Sequence, residues 1–545
     1  MKFLNIQTKS VSFASLILAG SYLFSAVLGL LRDRLLAGRL GTAKLDVYYS
    51  AFTIPDFVAL LLIFGAISAT IVPIFSTYLV ESKEEAFEYL VNLLNIFLSF
   101  LIVVCIIFII FAPFLVSLIA PGFSLEKKEA TTALMRIMFL SPIILGVSTI
   151  ITGILQVFHR FLVTALAPIM YNLGIIIGIL FFVPFFGLNG LALGVVFGGF
   201  LHLLIQIPAF FHSGFTYKLN FNFRHFGVIK TLKLMVPRSL GLGAGQFNII
   251  VITAIASTLM AGSISIFNLA NNLSAMMVNA IAASLSSAIF VPMSRAFAVK
   301  DIKDFEYKFQ IAFLQIIFLT IPISILLFFL RAQIIRVLLG TGKFGWQDTR
   351  LTAACLGIFA IGLFGQGLIF LLSKTFYAAH NTKIPAWISF GTVVFNIASS
   401  LLFIWILNFS NSFSDFLHWI LKLQDIENIR VVGLALAFTI TAICEALILL
   451  FFVHRKLKVF KISKVASSLY KIIISGSVMI LVILLIRDGL VIYNVVNLQT
   501  TFGVFVQLFL ASVFGLIAYI GVSFLVKSSE IKIIRESFFK KFVKI

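Results

Sequence analysis

Long runs of apolar residues alternate with short polar segments along the whole chain. A membrane-spanning helix needs roughly 20 apolar residues in succession, and the apolar runs separate into about fourteen blocks of that size. This pattern predicts an all-α, polytopic membrane protein with about fourteen transmembrane helices, because a helix satisfies its own backbone hydrogen bonds in lipid. The centres of the blocks are Leu23, Leu61, Val103, Leu145, Ile175, Val196, Ile249, Ala280, Ile321, Ile361, Val394, Thr441, Leu481 and Phe514.

The sequence contains a weak internal repeat. The segment SATIVPIFSTYLVESKEE, at residues 68–85, recurs at residues 287–304 as SAIFVPMSRAFAVKDIKD. A second echo pairs FHRFLVTALAP, which ends at Pro168, with FYAAHNTKIP, which ends at Pro385. This spacing predicts two lobes of about six spans each that enter the membrane in the same orientation, as in transporters built from parallel repeats.

The repeat also predicts the domain organisation. We expect an N-lobe at residues 1–225, a C-lobe at residues 226–458, and two additional C-terminal helices with a basic tail at residues 459–545. Because the last two spans have no counterpart in the repeat, we expect them to have a separate task, such as contact with a long lipid. The connection at residues 408–430 contains Phe416 and Trp419 in an amphipathic pattern, which predicts an interfacial helix.

Composition and charge agree with a membrane protein. Hydrophobic residues make up 61% of the 545 residues, charged residues 11%, and the mean hydropathy is +1.13. The net charge of +21 is concentrated in alternate connections, which is the positive-inside pattern and not a nucleic-acid-binding surface. We therefore expect no nucleic-acid partner, a multi-pass chain with both termini in the cytoplasm, and a basic tail on anionic lipid.

The sequence carries no enzyme motif. It has no phosphate-binding glycine loop, and its seven histidines are scattered without metal-ligand spacing. Cys105, Cys355 and Cys444 lie in apolar blocks, with no metal or disulfide pattern. We therefore predict a transporter without a metal or other cofactor. Its energy is expected to come from a coupling ion, the membrane potential or the gradient of the substrate.

Ionisable residues in the first spans form the candidate substrate site. A charge at mid-bilayer costs on the order of 3 kcal/mol, so a retained charge usually faces a cavity or a partner. Arg32 and Asp33 end the first span, Ser25 shares a helix face with Arg32, and Asp46 is expected to pair with an arginine across a short loop. Arginine suits a phosphate because its planar group donates two parallel hydrogen bonds. The alternative is a structural ion pair at a helix end.

Several segments resemble the MurJ (MviN) family of lipid II flippases, in the multidrug/oligosaccharidyl-lipid/polysaccharide exporter superfamily. They include GLLRDRLLAGRLGTAKLDVYYSAFTIPDF, GAISATIVPIFSTYL and GTGKFGWQDTRLTAACLGIFAIGLFGQ, and the likeness covers most of residues 10–400. The resemblance implies a two-lobed flippase in the bacterial cytoplasmic (inner) membrane. Its cationic cavity would take the head group of a polyprenyl-diphosphate-linked saccharide, and its last two helices would contact the tail. Cell-wall synthesis proteins are candidate partners.

The chain departs from this family at several charged positions. Ala26 stands where the family has an arginine, Asn271 and Asn272 replace an Asp-Arg pair, and Ile252 and Asn381 replace acidic residues. Asn271 and Asn272 are still expected to hydrogen-bond sugar or phosphate, though more weakly than an ionised donor.

Three alternatives to a lipid II flippase stay open at this point. The missing arginines favour a flippase for another lipid-linked oligosaccharide, such as a capsule or O-antigen unit. A cation-coupled drug antiporter would need acidic residues deep in the cavity. A non-transporting scaffold would not need any of the candidate site residues.

Overall fold

The computed structural model describes residues 11–64, 70–459 and 462–531, and this part of the chain is helical without strands. The predicted all-α class is therefore confirmed. Both termini, including most of the basic tail, lie outside the described residues. So do residues 65–69, which contain Ser68 and Ala69 of the first repeat copy. The cytoplasmic placement of both termini stays a prediction.

The chain divides into two compact units, Met1–Ser265 and Ile266–Ile545. The predicted boundaries near residues 225 and 458 follow the repeat and not the packing, and they stay predictions. The helices of the first unit are α1 (Val11–Leu40), α2 (Thr42–Val58), α3 (Val72–Glu81), α4 (Lys83–Ile110), α5 (Ala112–Ile119), α6 (Leu125–Met138), α7 (Leu140–Val157), α8 (Phe161–Ile177), α9 (Val183–Phe186), α10 (Leu188–Leu204), α11 (Ile207–Phe211) and α12 (Phe226–Ser257).

The second unit begins within α13 (Ser263–Val278), whose first turn belongs to the first unit. Its other helices are α14 (Ser284–Ala298), α15 (Ile302–Phe329), α16 (Arg331–Leu338), α17 (Trp346–Ala378), α18 (Lys383–Ile406), α19 (Ser412–Leu421), α20 (Arg430–Phe452), α21 (Ile462–Ile492) and α22 (Thr501–Leu525).

Within the described residues, 11 helical segments are long and apolar enough to cross a membrane. Each of them contains one of the predicted block centres. The remaining centres also lie in helices: Leu23 in α1, Ile249 in α12, and Leu61 in the π-helical segment Ala59–Phe64 that continues α2. The chain is therefore a polytopic membrane protein, and its helices lie where the apolar pattern places them.

In the first unit, glycines bring α8 and α10 into backbone contact. A Cβ atom added to Gly174 of α8 would lie 2.3 Å from the Cα atom of Gly198. One added to Gly178, in the π-helical segment Gly178–Phe182 that continues α8, would lie 2.4 Å from the Cα atom of Gly194. The four-residue spacing of these glycines keeps them on one face of each helix. Small residues at this spacing let membrane helices pack closely by van der Waals contact.

In the second unit, aromatic rings fill the space between α13, α17 and α20. The ring centroids of Phe267 and Phe359 are 5.4 Å apart in an edge-to-face arrangement, and Phe438 lies 5.6 Å from Phe359. Phe267 and Phe359 are almost completely buried. Edge-to-face aromatic pairs stabilise a core beyond the area that they bury.

The last two helices, α21 and α22, pack against each other and against α15. The Tyr519 hydroxyl donates to the Phe318 carbonyl at 2.9 Å, and the Ser523 hydroxyl donates to Ser475 Oγ at 3.0 Å. On their other faces, large side chains such as Leu485 and Phe509 are exposed. These faces can therefore contact lipid.

The amphipathic segment at residues 408–430 contains a helix, α19, as the sequence predicts. Its Asn411 cap accepts a hydrogen bond from the Ser414 amide at 2.8 Å, and Leu417 and Leu421 are buried. Trp419 is 69% exposed on the opposite face. The helix is confirmed, and its position at a membrane interface stays a prediction.

Candidate functional site

The centre of the candidate site is an ion pair between neighbouring residues of α1. Arg32 Nε and Nη2 donate to Asp33 Oδ1 at 2.9 and 2.8 Å. The Arg32 side chain is 22% exposed and the Asp33 side chain 9%. Consecutive residues on a helix do not face each other, so the long arginine side chain must turn back to reach Asp33. The carboxylate therefore fixes the direction of the guanidinium.

Asn172 of α8 joins this pair to Ser25. Its Oδ1 atom accepts from Arg32 Nη1 at 3.1 Å, and its Nδ2 atom donates to Ser25 Oγ, also at 3.1 Å. The same Nδ2 atom approaches the Pro168 carbonyl one turn earlier in α8, at 3.3 Å. The structure thus brings together three predicted site residues, Ser25, Arg32 and Asp33, through a buried amide.

Sequence reasoning missed Asn172, although a signal for it was present. The residue lies inside an apolar block, where a polar side chain needs a hydrogen-bond partner from another helix. The uncharged candidates Ser25, Asn271 and Asn272 follow from a shared helix face or from the family resemblance, and neither criterion points to Asn172. Its partner could not be found from spacing alone, because 140 residues separate Arg32 from Asn172.

Hydrogen-bond donors on Arg32 and on a nearby tyrosine make this cluster suitable for binding an anion. A guanidinium has five N–H donors, and three of the Arg32 donors are engaged by Asp33 and Asn172. Tyr48 and Tyr49 of α2 lie close enough to interact electrostatically with Arg32. The buried Tyr49 hydroxyl has no hydrogen-bond partner among the described residues. Arginine donors and this hydroxyl are suitable partners for phosphate oxygens.

Asp46, another predicted site residue, has a different environment from the expected one. Its Oδ1 atom accepts from the Ser265 amide at 2.9 Å and from the Ser265 hydroxyl at 2.8 Å, and its Oδ2 atom accepts from the Gly262 amide. Asp46 is 2% exposed. The expected pairing with an arginine is therefore wrong. The carboxylate instead holds α2 against the first turn of α13, and its role toward a substrate stays a prediction.

Asn271 and Asn272 lie on α13 in the second unit, whereas Ser25, Arg32, Asp33 and Asp46 belong to the first. Asn271 is half-buried and Asn272 is exposed. Both amides are therefore accessible, and their contact with a substrate stays a prediction.

Known proteins resemble this chain in sequence. The family model described as "Lipid II flippase MurJ" matches residues 37–504. A probable lipid II flippase MurJ of Buchnera aphidicola subsp. Acyrthosiphon pisum is 30% identical over 382 residues, which are 69% of this chain and 74% of that protein. A probable lipid II flippase MurJ of Bdellovibrio bacteriovorus is 26% identical over 540 residues, 97% of each chain.

Solved structures resemble it in fold. A lipid II flippase MurJ in an inward closed conformation matches with a TM-score of 0.73 and 25% identity, over 97% of this chain and 100% of that one. An inward-facing MATE family multidrug resistance transporter of the MOP superfamily matches with a TM-score of 0.63 and 16% identity, over 81% of this chain and 98% of that one. At that identity, the second likeness concerns the fold alone.

Proposed function

The chain belongs to the lipid II flippase MurJ family, and from that premise we propose that it carries lipid II across the bacterial cytoplasmic membrane for peptidoglycan synthesis. Lipid II is a cell-wall precursor linked to a polyprenyl diphosphate. The family match over residues 37–504 and the polytopic helical architecture support this proposal. Alternating access supplies the mechanism: the head group crosses in a cavity while the tail stays in lipid.

The observation that carries the proposal is the arrangement around Arg32. Asp33 and Asn172 hold the guanidinium from two sides, and two of its N–H donors are not used in these bonds. A group fixed before binding loses less conformational entropy when the ligand arrives. Arg32 therefore binds the diphosphate, and the Tyr49 hydroxyl supplies a further hydrogen bond.

Other parts of the molecule take the rest of the lipid. Contact of Asn271 and Asn272 with the sugar or the diphosphate stays a prediction from the sequence. The exposed apolar faces of α21 and α22, with Leu485 and Phe509, contact the polyprenyl tail. Binding by cell-wall synthesis proteins stays a prediction.

A flippase for another lipid-linked oligosaccharide is the second candidate. Asn271 and Asn272 stand where the resemblance leads us to expect an Asp-Arg pair, and Ala26 where it leads us to expect an arginine. Fewer fixed charges suit a head group with fewer ionised groups. Both candidates share the diphosphate and its contact with Arg32.

Depletion of the chain in its host, followed by measurement of lipid II on the outer leaflet, tests the proposal. Outward lipid II should fall on depletion and recover with the wild-type chain. Arg32→Ala should not restore it, and Arg32→Lys should restore it only in part, because lysine lacks the planar pair of donors. Arg39→Ala is the control, since Arg39 lies on the same helix and donates to backbone carbonyls.

The outcomes separate the candidates. Unchanged outward lipid II on depletion contradicts a lipid II flippase. If another lipid-linked saccharide accumulates on the inner leaflet instead, the second candidate is correct. Full complementation by Arg32→Ala would support a non-transporting scaffold.

A further inference from the structure

A carboxylate lies near the middle of the membrane span Arg430–Leu457 in the second unit. Glu445, on α20, accepts hydrogen bonds from two hydroxyls of α18. Ser389 Oγ donates to its Oε1 atom at 2.7 Å, and Thr392 Oγ1 donates to its Oε2 atom at 3.2 Å. Both hydroxyls belong to the same neighbouring helix. The Thr392 hydroxyl shares its single proton between Glu445 and the Ser389 carbonyl, which lies 3.0 Å away, so Ser389 is the stronger donor to the carboxylate.

No basic side chain pairs with Glu445 within the described residues. The Tyr377 phenol of α17 interacts with it electrostatically, and that group carries no positive charge. Lys374, one turn earlier on α17, donates to the Ser287 hydroxyl on α14. An ionised carboxylate without a cation is costly inside a membrane, and such residues commonly belong to ion or proton pathways.

A buried polar face continues from this carboxylate along α18. Ser389, Thr392, Asn396 and Ser400 follow each other at intervals of three or four residues, so they lie on one side of the helix. Asn396 Nδ2 donates to Thr441 Oγ1 of α20 at 3.2 Å. The face therefore stays directed at α20 one turn beyond Thr392.

Two atoms of this face lack a hydrogen-bond partner in the described part of the chain: Asn396 Oδ1 and Ser400 Oγ. Asn396 is 1% exposed and Ser400 0%. Buried polar atoms are nearly always paired, with protein or with ordered water. A polar site with room for water would satisfy both atoms and would extend the hydrogen-bonded path from Glu445.

We propose that Glu445 is a proton-binding site and that the polar face of α18 conducts the proton between Glu445 and the C-terminal end of α18. Protonation forms an O–H bond on one carboxylate oxygen, and the hydroxyl that donated to this oxygen then accepts from it. Deprotonation reverses the step and returns the proton to the hydrogen-bonded path. The proton-binding site stands on this geometry alone. Its use to drive lipid transport rests on the proposed function.

Infrared difference spectroscopy on the purified full chain in phosphatidylethanolamine and phosphatidylglycerol bilayers tests the site. Acidification should produce the carbonyl band of a protonated carboxylic acid in an apolar environment. Glu445→Gln, which can keep both hydroxyl contacts, should remove the component of this band that Glu445 contributes, while a contribution from the buried Asp46 carboxyl stays. Glu427→Gln should leave it unchanged, because Glu427 is exposed in a connection between helices.

An acid-induced band of equal size in the wild type and in Glu445→Gln would overturn the proposal. So would a Glu445 carboxylate that stays ionised over the accessible pH range and responds to sodium, because the site would then bind a metal cation. Neither result depends on lipid II, so failure here is distinct from failure of the proposed function.

The polar face has its own test. Asn396→Val should leave the carboxylic acid band in place and slow its exchange in deuterated water, because the path is interrupted beyond Glu445. Val394→Ala is the control, since Val394 lies two residues from both Thr392 and Asn396, on the opposite side of α18, and is 57% exposed. Equal exchange in the wild type and Asn396→Val would overturn the path.

In proteoliposomes, lipid II transport by Glu445→Gln should lose the pH dependence of the wild type.

Discussion

The predicted internal repeat pairs helix α8 with helix α18, and the two helices use the paired positions for different contacts. Pro168 and Pro385 mark the shared register. Four residues later, Asn172 of α8 hydrogen-bonds Arg32 and Ser25 on α1, whereas Ser389 of α18 hydrogen-bonds a carboxylate on α20. The repeat has kept a polar residue at this position and has changed the helix that it contacts.

The glycines of the two helices show the same difference. Gly174 and Gly391 each lie six residues after the shared proline. A Cβ atom on Gly174 would lie 2.3 Å from a backbone atom of α10, but one on Gly391 would meet nothing within 4 Å. Gly174 of α8 therefore packs against the backbone of α10, whereas Gly391 of α18 faces open space. The backbones of α18 and α20 approach each other farther along, where a Cβ atom on Gly433 would lie 3.2 Å from backbone atoms of Phe403 and Ile404.

The largest expected effect breaks the backbone contact. Gly174→Ala forces α8 and α10 apart and should destabilise the protein by about 1–3 kcal/mol, as overpacking commonly does. Gly391→Ala should leave stability unchanged or raise it by up to about 1 kcal/mol, because alanine is the better helix former. Thermal unfolding of both variants in the same detergent measures the difference. Equal midpoints would contradict the contrast between the two helix pairs.

A second experiment compares the two polar residues. Asn172→Leu leaves Arg32 and Ser25 without their amide partner, and a buried group left unpaired costs about 1–3 kcal/mol. Ser389→Ala removes one hydrogen bond and leaves the Thr392 contact to Glu445, so we expect a loss of about 0.5–1.5 kcal/mol. Denaturation and complementation assays on both variants check this order. A larger loss for Ser389→Ala would reverse the comparison.

Thr441→Val sharpens the description of the α18–α20 contact. The substitution removes the acceptor of Asn396 Nδ2 and keeps the side-chain volume nearly unchanged. We expect a loss of about 1 kcal/mol, with the Glu445 contacts intact. Disulfide cross-linking between cysteines introduced on α18 and α20 would report increased separation. No change in stability or cross-linking would show that this hydrogen bond does not hold the pair.

The smallest effect is expected outside the helix pairs, at Glu530 after α22. Burial acts to raise the pKa of this carboxyl, but hydrogen bonds, chiefly from Ser528, more than offset burial and leave its pKa below the ordinary value. A lowered folded-state pKa gives stability that is present above the unfolded-state pKa and is lost as pH falls through the folded-state pKa. Glu530→Gln should therefore reduce stability slightly at neutral pH and have no effect in strong acid. Unfolding midpoints at both pH values measure this, and an equal loss at both would contradict it.

The local pattern of the sequence predicted most of the helices. All the predicted block centres lie in helices because insertion into a membrane depends on the hydrophobicity of a continuous segment, which is a local property. Arg32 and Asp33 were also recognised locally, since a charge in an apolar block is expensive. Asn172 carries no charge and lies on a different helix from Arg32, so neither the cost of a charge nor a shared helix face points to it, although its apolar surroundings show that it needs a partner.

The tertiary structure alone decided how these polar groups pair. Asp46 meets Gly262 and Ser265 rather than an arginine, Asn172 joins Ser25 to Arg32, and Glu445 meets two hydroxyls of α18. Each partner lies tens to hundreds of residues away, and a hydrogen bond depends on ångström distances that helix packing sets. The sequence by itself determined where the helices run and which residues must avoid lipid. The packing of the helices decided which of those residues meet, and so which of them can hold a diphosphate or a proton.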